Sequence, residues 1–335
     1  MTTPGTSEPP PLFPPAGALL VAVLAISWAG PLVRLSSAPA VAVAAWRLIL
    51  TMGFLVVILG WRRSLFKGVR LRARDWLLAV ASGFLLAAHF WTWFASVRYT
   101  SIAHAVVLVS TYPFWIAVLS APFLGERPSG REWAGIGIAV AGTGVIAWGD
   151  VGGAGPDAFG FGEGALLGDL LALAAALLVA GYFTIGRGLR QRLDLWGYVA
   201  LVYGVAAVAL AAATFVSPGV AFTGYPTADW LIFLALAAGP MMLGHTGINY
   251  AIRYMPAYAA NLAILAEAVG ATLIAWFLPG IRETPTALTL VGGGLVLVGI
   301  GVGTLRRGGK RGLEGRKRAH GARESAAPPE TGAPG

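Results

Sequence analysis

Phe94-Ala95-Ser96-Val97-Arg98-Tyr99 and Asn249-Tyr250-Ala251-Ile252-Arg253-Tyr254 share a small residue, a β-branched residue, Arg and Tyr in the same order. Each stretch lies between the third and fourth of five consecutive apolar segments. The chain is built twice over. Because five is odd, a second copy that threads a bilayer after the first enters it from the opposite side, so the two copies run inverted.

Composition sets the environment. Of 335 residues, 57% are hydrophobic and 12% charged, and the mean hydropathy of +0.72 exceeds what a soluble domain needs. Crossing roughly 30 Å of hydrocarbon takes about 20 mostly apolar residues. Ten such windows fit, near Ala16 to Val33, Ala40 to Gly60, Trp76 to Ser96, Ile102 to Ala121, Trp133 to Trp148, Ala165 to Ile185, Trp196 to Val216, Trp230 to Tyr250, Ala257 to Leu278 and Thr286 to Leu305. The expected fold is an all-α integral membrane protein of ten transmembrane helices in two inverted five-helix repeats. The repeats occupy 16–148 and 165–305, joined by a Gly-rich linker at 149–164, with a Pro-rich disordered start at 1–15 and a basic disordered tail at 306–335. No connection has room for a folded soluble domain. Met1 to Pro15 lacks the basic n-region of a signal peptide, and the apolar run after it is long enough to remain as a span.

The net charge of +9 is distributed unevenly. With Arg47 set aside as buried, 20 of the 24 Lys and Arg residues fall on the side of Met1 and 3 on the other. By the positive-inside rule both termini lie in the cytoplasm of a cell (inner or plasma) membrane. The basic tail has two readings, a solvated segment or one drawn to anionic lipid headgroups. A nucleic-acid partner is not expected, because no basic face on a fold is visible.

The repeat extends past the signature, whose two copies are offset by 155 residues. After a two-residue insertion, Gly135 matches Gly292, Gly142 matches Gly299 and Gly144 matches Gly301. Leu124-Gly125-Glu126 closes the fourth window and Leu278-Pro279-Gly280 closes the ninth, followed by Glu283. With Ile26-Ser27-Trp28-Ala29, Trp46-Arg47-Leu48, the Pro113 region and Glu267, these features make Ala16 to Leu305 resemble the drug/metabolite transporter superfamily, in its EamA-type ten-span form. The resemblance implies a helical carrier with a central cavity between its halves. Small four-helix relatives that exchange cationic drugs for protons look as though they depend on a Glu in the first span. Here only Ser27 and Trp28 stand near that place, which argues against drug-cation antiport of that kind.

An ionised group near the bilayer centre costs at least ~2.5–3.5 kcal/mol, so each requires a partner or a purpose. Glu267, near the middle of the ninth window, shares a helix face with Ala260, Ala263, Gly270 and Ala271. It can couple protons or touch the solute, or it can be an acid that locks helix packing. Arg47, seven residues into the second window, either snorkels to the interface or stands as a fixed cation for Glu267 or an anionic substrate group. His89, Thr92, Trp93 and Ser96 form a polar and aromatic stripe, His104 shares a face with Thr111, and His245 shares one with Asn249. Each set is either interhelical hydrogen-bonding glue or cavity lining. Trp28, Trp91 and Trp115 either pack against apolar neighbours or stack on an amphipathic solute. Pro113 and Pro240 permit kinks.

No cofactor and no metal are expected: cysteine is absent and no histidine pair has metal spacing with a third ligand. Enzyme motifs are missing too, with no His-Glu-x-x-His, Gly-x-Ser-x-Gly or Walker sequence. The expected function is secondary transport of a small metabolite or amino acid, in the export direction, by alternating access. A passive channel-like facilitator or a drug-cation exporter in the same fold is the alternative. The expected partners are a small-molecule substrate and the lipid bilayer; oligomeric state is not legible.

Overall fold

The computed structural model describes residues 11–62, 71–99, 108–151, 165–279 and 285–304. Helices account for the regular structure, and no strand occurs among the described residues. In chain order they are α1 (Pro15–Ile26), α2 (Ala29–Leu35), α3 (Ala40–Arg62), α4 (Ala73–Tyr99), α5 (Tyr112–Leu124), α6 (Gly130–Val151), α7 (Ala165–Arg190), α8 (Leu195–Val216), α9 (Thr227–Leu236), a π-helix (Ala237–His245), α10 (Thr246–Ala251), α11 (Ala257–Ile264), α12 (Glu267–Phe277) and α13 (Ala287–Thr304). Eight described segments are long and apolar enough to cross a membrane: 15–33, 40–62, 73–96, 166–190, 195–216, 227–251, 257–274 and 287–304. The window expected near Ile102 to Ala121 is described only from 108 onward, as two helical residues, a turn at Ser110-Thr111 and the shorter α5. α6 has 22 residues and carries Arg131, Glu132 and Asp150 close to its ends.

Polar contacts gather at the two ends of the bundle, as expected where the middle is bathed in hydrocarbon. At one end Arg62 pairs with Asp194 at 2.7 Å, Arg192 with Asp75 at 2.8 Å and Arg187 with Glu126 at 2.8 Å. Tyr258 donates to Glu132 there, and Tyr250 donates to the Phe13 carbonyl. This arginine-rich face therefore holds the starts of α1, α4, α6, α8 and α11 and the ends of α3, α5, α7 and α10. At the opposite face Ser36 and Ser37, after α2, bond Asp229 in the first turn of α9. Trp46 Nε1 donates to the Phe222 carbonyl at 2.7 Å, and its ring meets Trp230 edge-on. Successive segments thus run up and down through the bundle. Leu20, Val57, Phe123, Val208, Phe215 and Leu290 face outward along its flanks, an apolar exterior suited to lipid.

The most extensive helix pair is α6 against α13. Glycine makes it possible: a Cβ on Gly142 would stand 2.6 Å from the Val296 nitrogen, and one on Gly135 would stand 2.5 Å from the Gly303 backbone. Backbone here lies against backbone, the small-residue packing that joins helices where no hydrophobic driving force is available.

Among the described residues four segments are interrupted at mid-depth, the fourth of the chain at Ser110-Thr111, just before α5. The first breaks at Ser27-Trp28, between α1 and α2, and the ninth at Leu265-Ala266, between α11 and α12. These two breaks meet, with Ser27 Oγ bonded to Val23 O at 2.8 Å and 3.4 Å from the Glu267 carbonyl. The eighth segment instead widens into the π-helix, which carries Pro240. Its cause can be read in the numbering. Asp75-Trp76-Leu77 and Asp229-Trp230-Leu231, at the starts of α4 and α9, lie 154 residues apart, whereas Arg98 and Arg253 lie 155 apart. The eighth segment therefore holds one more residue than the third, and the wider π turn absorbs it.

Candidate functional site

A cavity of about 190 Å³ opens where the interrupted segments converge. That is below the ~300–1,000 Å³ of drug-sized sites and suits a small solute. Its wall draws on α1 to α5, α7, the π-helix and α10 to α12. Arg47, His89, Trp93, His245 and Glu267, five of the residues singled out by sequence, line it together.

Arg47 does not snorkel to an interface; it is 2% exposed and turns inward. Its guanidinium lies 4.0 Å from the centre of the Phe90 ring, and Nη2 donates to Met241 Sδ at 3.2 Å. Nε has no partner, and no carboxylate of a described residue pairs with the group. A ring face and a thioether offset only part of what a buried cation loses in leaving water. The site therefore keeps an anion-seeking group in place.

Histidine reaches the same wall from two elements. His89 Nδ1 is 2.9 Å from the Ala175 carbonyl, which can only accept, so Nδ1 carries the proton. In the neutral ring Nε2 is then left with its lone pair. His245, the last residue of the π-helix, stacks on Phe183 and meets Phe90 edge-on, and its buried Nδ1 is unpartnered. Trp93 Nε1, a donor only, is also buried and unpartnered.

α11 and α12 bring an acid and an acceptor to the cavity. Glu267 opens α12, directly after the break, and no described side chain bonds its carboxylate. Asn261 donates to the Ala257 carbonyl and leaves its buried Oδ1 unpartnered. Neither Asn261 nor Ser110 figures among the sequence candidates. In one continuous helix Asn261 and Glu267, six residues apart, would stand about 120° apart. The break at Leu265-Ala266 brings both onto the cavity.

The remaining candidates lie elsewhere. Asn249 is fully buried outside the cavity lining, and its Nδ2 lies within hydrogen-bond distance of Tyr182 Oη at 2.5 Å, the His245 carbonyl at 2.8 Å and Tyr203 Oη at 3.2 Å. It joins three segments. Trp28 is 43% exposed and lines a separate surface groove with Leu273, Ile274, Phe277 and Leu278. Thr92 and Ser96 bond carbonyls of their own helix. His104 lies outside the described residues.

A bundle of apolar helices, interrupted at mid-depth around a small cavity with both charges, defines a helical membrane transporter as its class. The model of the EamA-like transporter family matches the chain twice, over residues 15–148 and 166–304. The protein belongs to the EamA-like transporter family and is an integral membrane transporter. A solved crystal structure, 20% identical, aligns over 91% of this chain and 98% of its own with a TM-score of 0.71, a likeness of fold. No protein of curated function matches the chain.

Proposed function

We propose that the protein is a secondary transporter that exports a small metabolite or amino acid across the cell membrane by alternating access. Ten spans form two inverted five-helix halves, 16–148 and 165–305, joined by the 149–164 linker. Both termini, at 1–15 and 306–335, face the cytoplasm, the basic tail either solvated or drawn to anionic headgroups. One observation carries the reading: the cavity holds both charges. Unpartnered nitrogens come to it from α3, α4 and the π-helix, on Arg47, Trp93 and His245, and the Glu267 carboxylate and Asn261 Oδ1 come from α12 and α11. A solute with an anionic group at one end and a cationic or donor group at the other satisfies both sets, and Phe183, Ile264 and Leu265 receive its apolar part. Glu267 is the coupling candidate, as the one carboxylate that the described residues bring to the cavity.

The test is a thermal-shift screen of purified protein against metabolites, followed by exchange of each hit in proteoliposomes. A solute at about 100 times its Kd adds about 2.7 kcal/mol of apparent stability. Amino acids are expected to shift the Tm and to exchange. Failure of every candidate to exchange would refute the reading, and equilibration with no uphill accumulation under any imposed gradient would mark a passive facilitator.

A further inference from the structure

Asp75 and Asp229 occupy the third position of α4 and α9, each followed by Trp-Leu, 154 residues apart. Both are 2% exposed, and both hold the end of a segment from the other half of the chain. Asp75 accepts from Arg192, just past α7, at 2.8 Å. Asp229 accepts from Ser36 Oγ at 2.6 Å and from the Ser37 nitrogen and Oγ at 2.9 and 2.6 Å, just past α2. The partners correspond as well, since Ser37 and Arg192 are 155 residues apart, the offset of the Arg-Tyr signature. One contact sits on the arginine-rich face and its counterpart on the opposite face. The structure therefore contains the same junction twice, once at each mouth of the bundle.

We infer that these junctions are the two gates' latches: Asp75–Arg192 holds the arginine-rich face closed and Asp229–Ser36–Ser37 holds the opposite face closed. The inference rests on the alternating-access reading, in which one face opens while the other stays shut. Each junction joins the third segment of one half to the first of the other, so opening a face separates those ends. Their chemistry differs for a reason in the sequence. Asp75 spends one oxygen on the Arg72 N–H, the N-cap of its own helix, at 3.0 Å. Pro226, at the corresponding N-cap, has no N–H, and both oxygens of Asp229 are free for the serines. One latch is an ion pair and the other a set of hydroxyl and amide bonds to a carboxylate. Arg62–Asp194 and Arg187–Glu126 reinforce the first face with bonds between the halves, while the second has Trp46 on Phe222.

The test needs no substrate. The chain has no cysteine, so Ala268→Cys, on the cavity wall, serves as a clean reporter for a membrane-impermeant maleimide in proteoliposomes of defined sidedness. Asp75→Asn should raise labelling from the arginine-rich face about tenfold, the effect of losing one charge-assisted hydrogen bond on an open-to-closed ratio, and should not raise it from the other. Asp229→Asn should do the reverse. Arg192→Gln and Ser37→Ala repeat the two cuts from the partner side, should an aspartate variant fold poorly. Labelling reached from both faces at rates the substitutions leave unchanged would overturn the latches and leave alternating access standing. A reporter reached from one face only, whichever latch is cut, would refute alternating access itself.

Discussion

Replacing Gly142 by alanine adds one methyl group to the α6–α13 seam, and the structure sets its cost. The new Cβ would lie 2.6 Å from the Val296 nitrogen, 2.8 Å from the Gly292 carbonyl oxygen and 2.9 Å from Leu295 Cβ. Ordinary contact begins near 3.4 Å, so the helices must part by most of an ångström. The first two neighbours are backbone atoms and cannot rotate away. Overpacking of this kind costs about 2 kcal/mol, and separation also loosens dispersion contacts along the seam. Gly137 and Gly144 lie on the same helix with nothing within 4 Å of a new Cβ. Alanine there removes only a helix-interior glycine, which stabilises by about 0.5–1 kcal/mol. The assay is thermal unfolding in detergent micelles: Gly142→Ala should lower the Tm by about 4–8 °C, while Gly137→Ala and Gly144→Ala leave it unchanged or slightly raised. Equal shifts in all three would refute backbone-to-backbone packing of α6 on α13.

Glu267→Gln should abolish accumulation driven by a pH gradient while downhill exchange persists, measured in proteoliposomes with imposed gradients; an unchanged gradient response removes Glu267 from coupling. Arg47→Met should raise the Tm of ligand-free protein, because a cation without an anionic partner is replaced by an apolar chain of similar length, by about 1 kcal/mol. The same variant should lose the thermal shift given by carboxylate-bearing solutes. Asn249→Ala leaves Tyr182 and Tyr203 without their amide donor and should cost about 2 kcal/mol, seen as a lower Tm.

The helices were legible because a bilayer demands long apolar runs, and the described segments follow the windows closely, Ala40–Arg62 against Ala40 to Gly60 being typical. The glycine matches proved physical at Gly135 and Gly142, which face α13, but Gly144 points to open space, since an ideal helix turns 200° between 142 and 144. Site residues were harder to read where helices stop being ideal. Asn261 escaped notice because helical phase is lost at Leu265-Ala266, and Trp28 is turned onto a separate groove beside the break after Ile26. Arg47 shows another limit. Its distance from the membrane end allowed snorkelling, and only the position of Phe90 and Met241 on neighbouring segments draws the guanidinium inward. Asp75 and Asp229 carry a repeat as regular as the Arg-Tyr signature, yet an acid at a helix start reads as an ordinary cap until its cross-half partner is known.

The surplus residue in the π-helix belongs to one repeat alone, since the counterpart within Ala73–Tyr99 is continuous α-helix. In the alternating-access reading proposed above, identical halves related by a two-fold axis would trade places during a cycle and leave the two extreme shapes equal in free energy. In that reading the two halves here cannot trade perfectly, so even without any gradient an empty carrier rests unevenly between its two orientations, a bias written into the backbone.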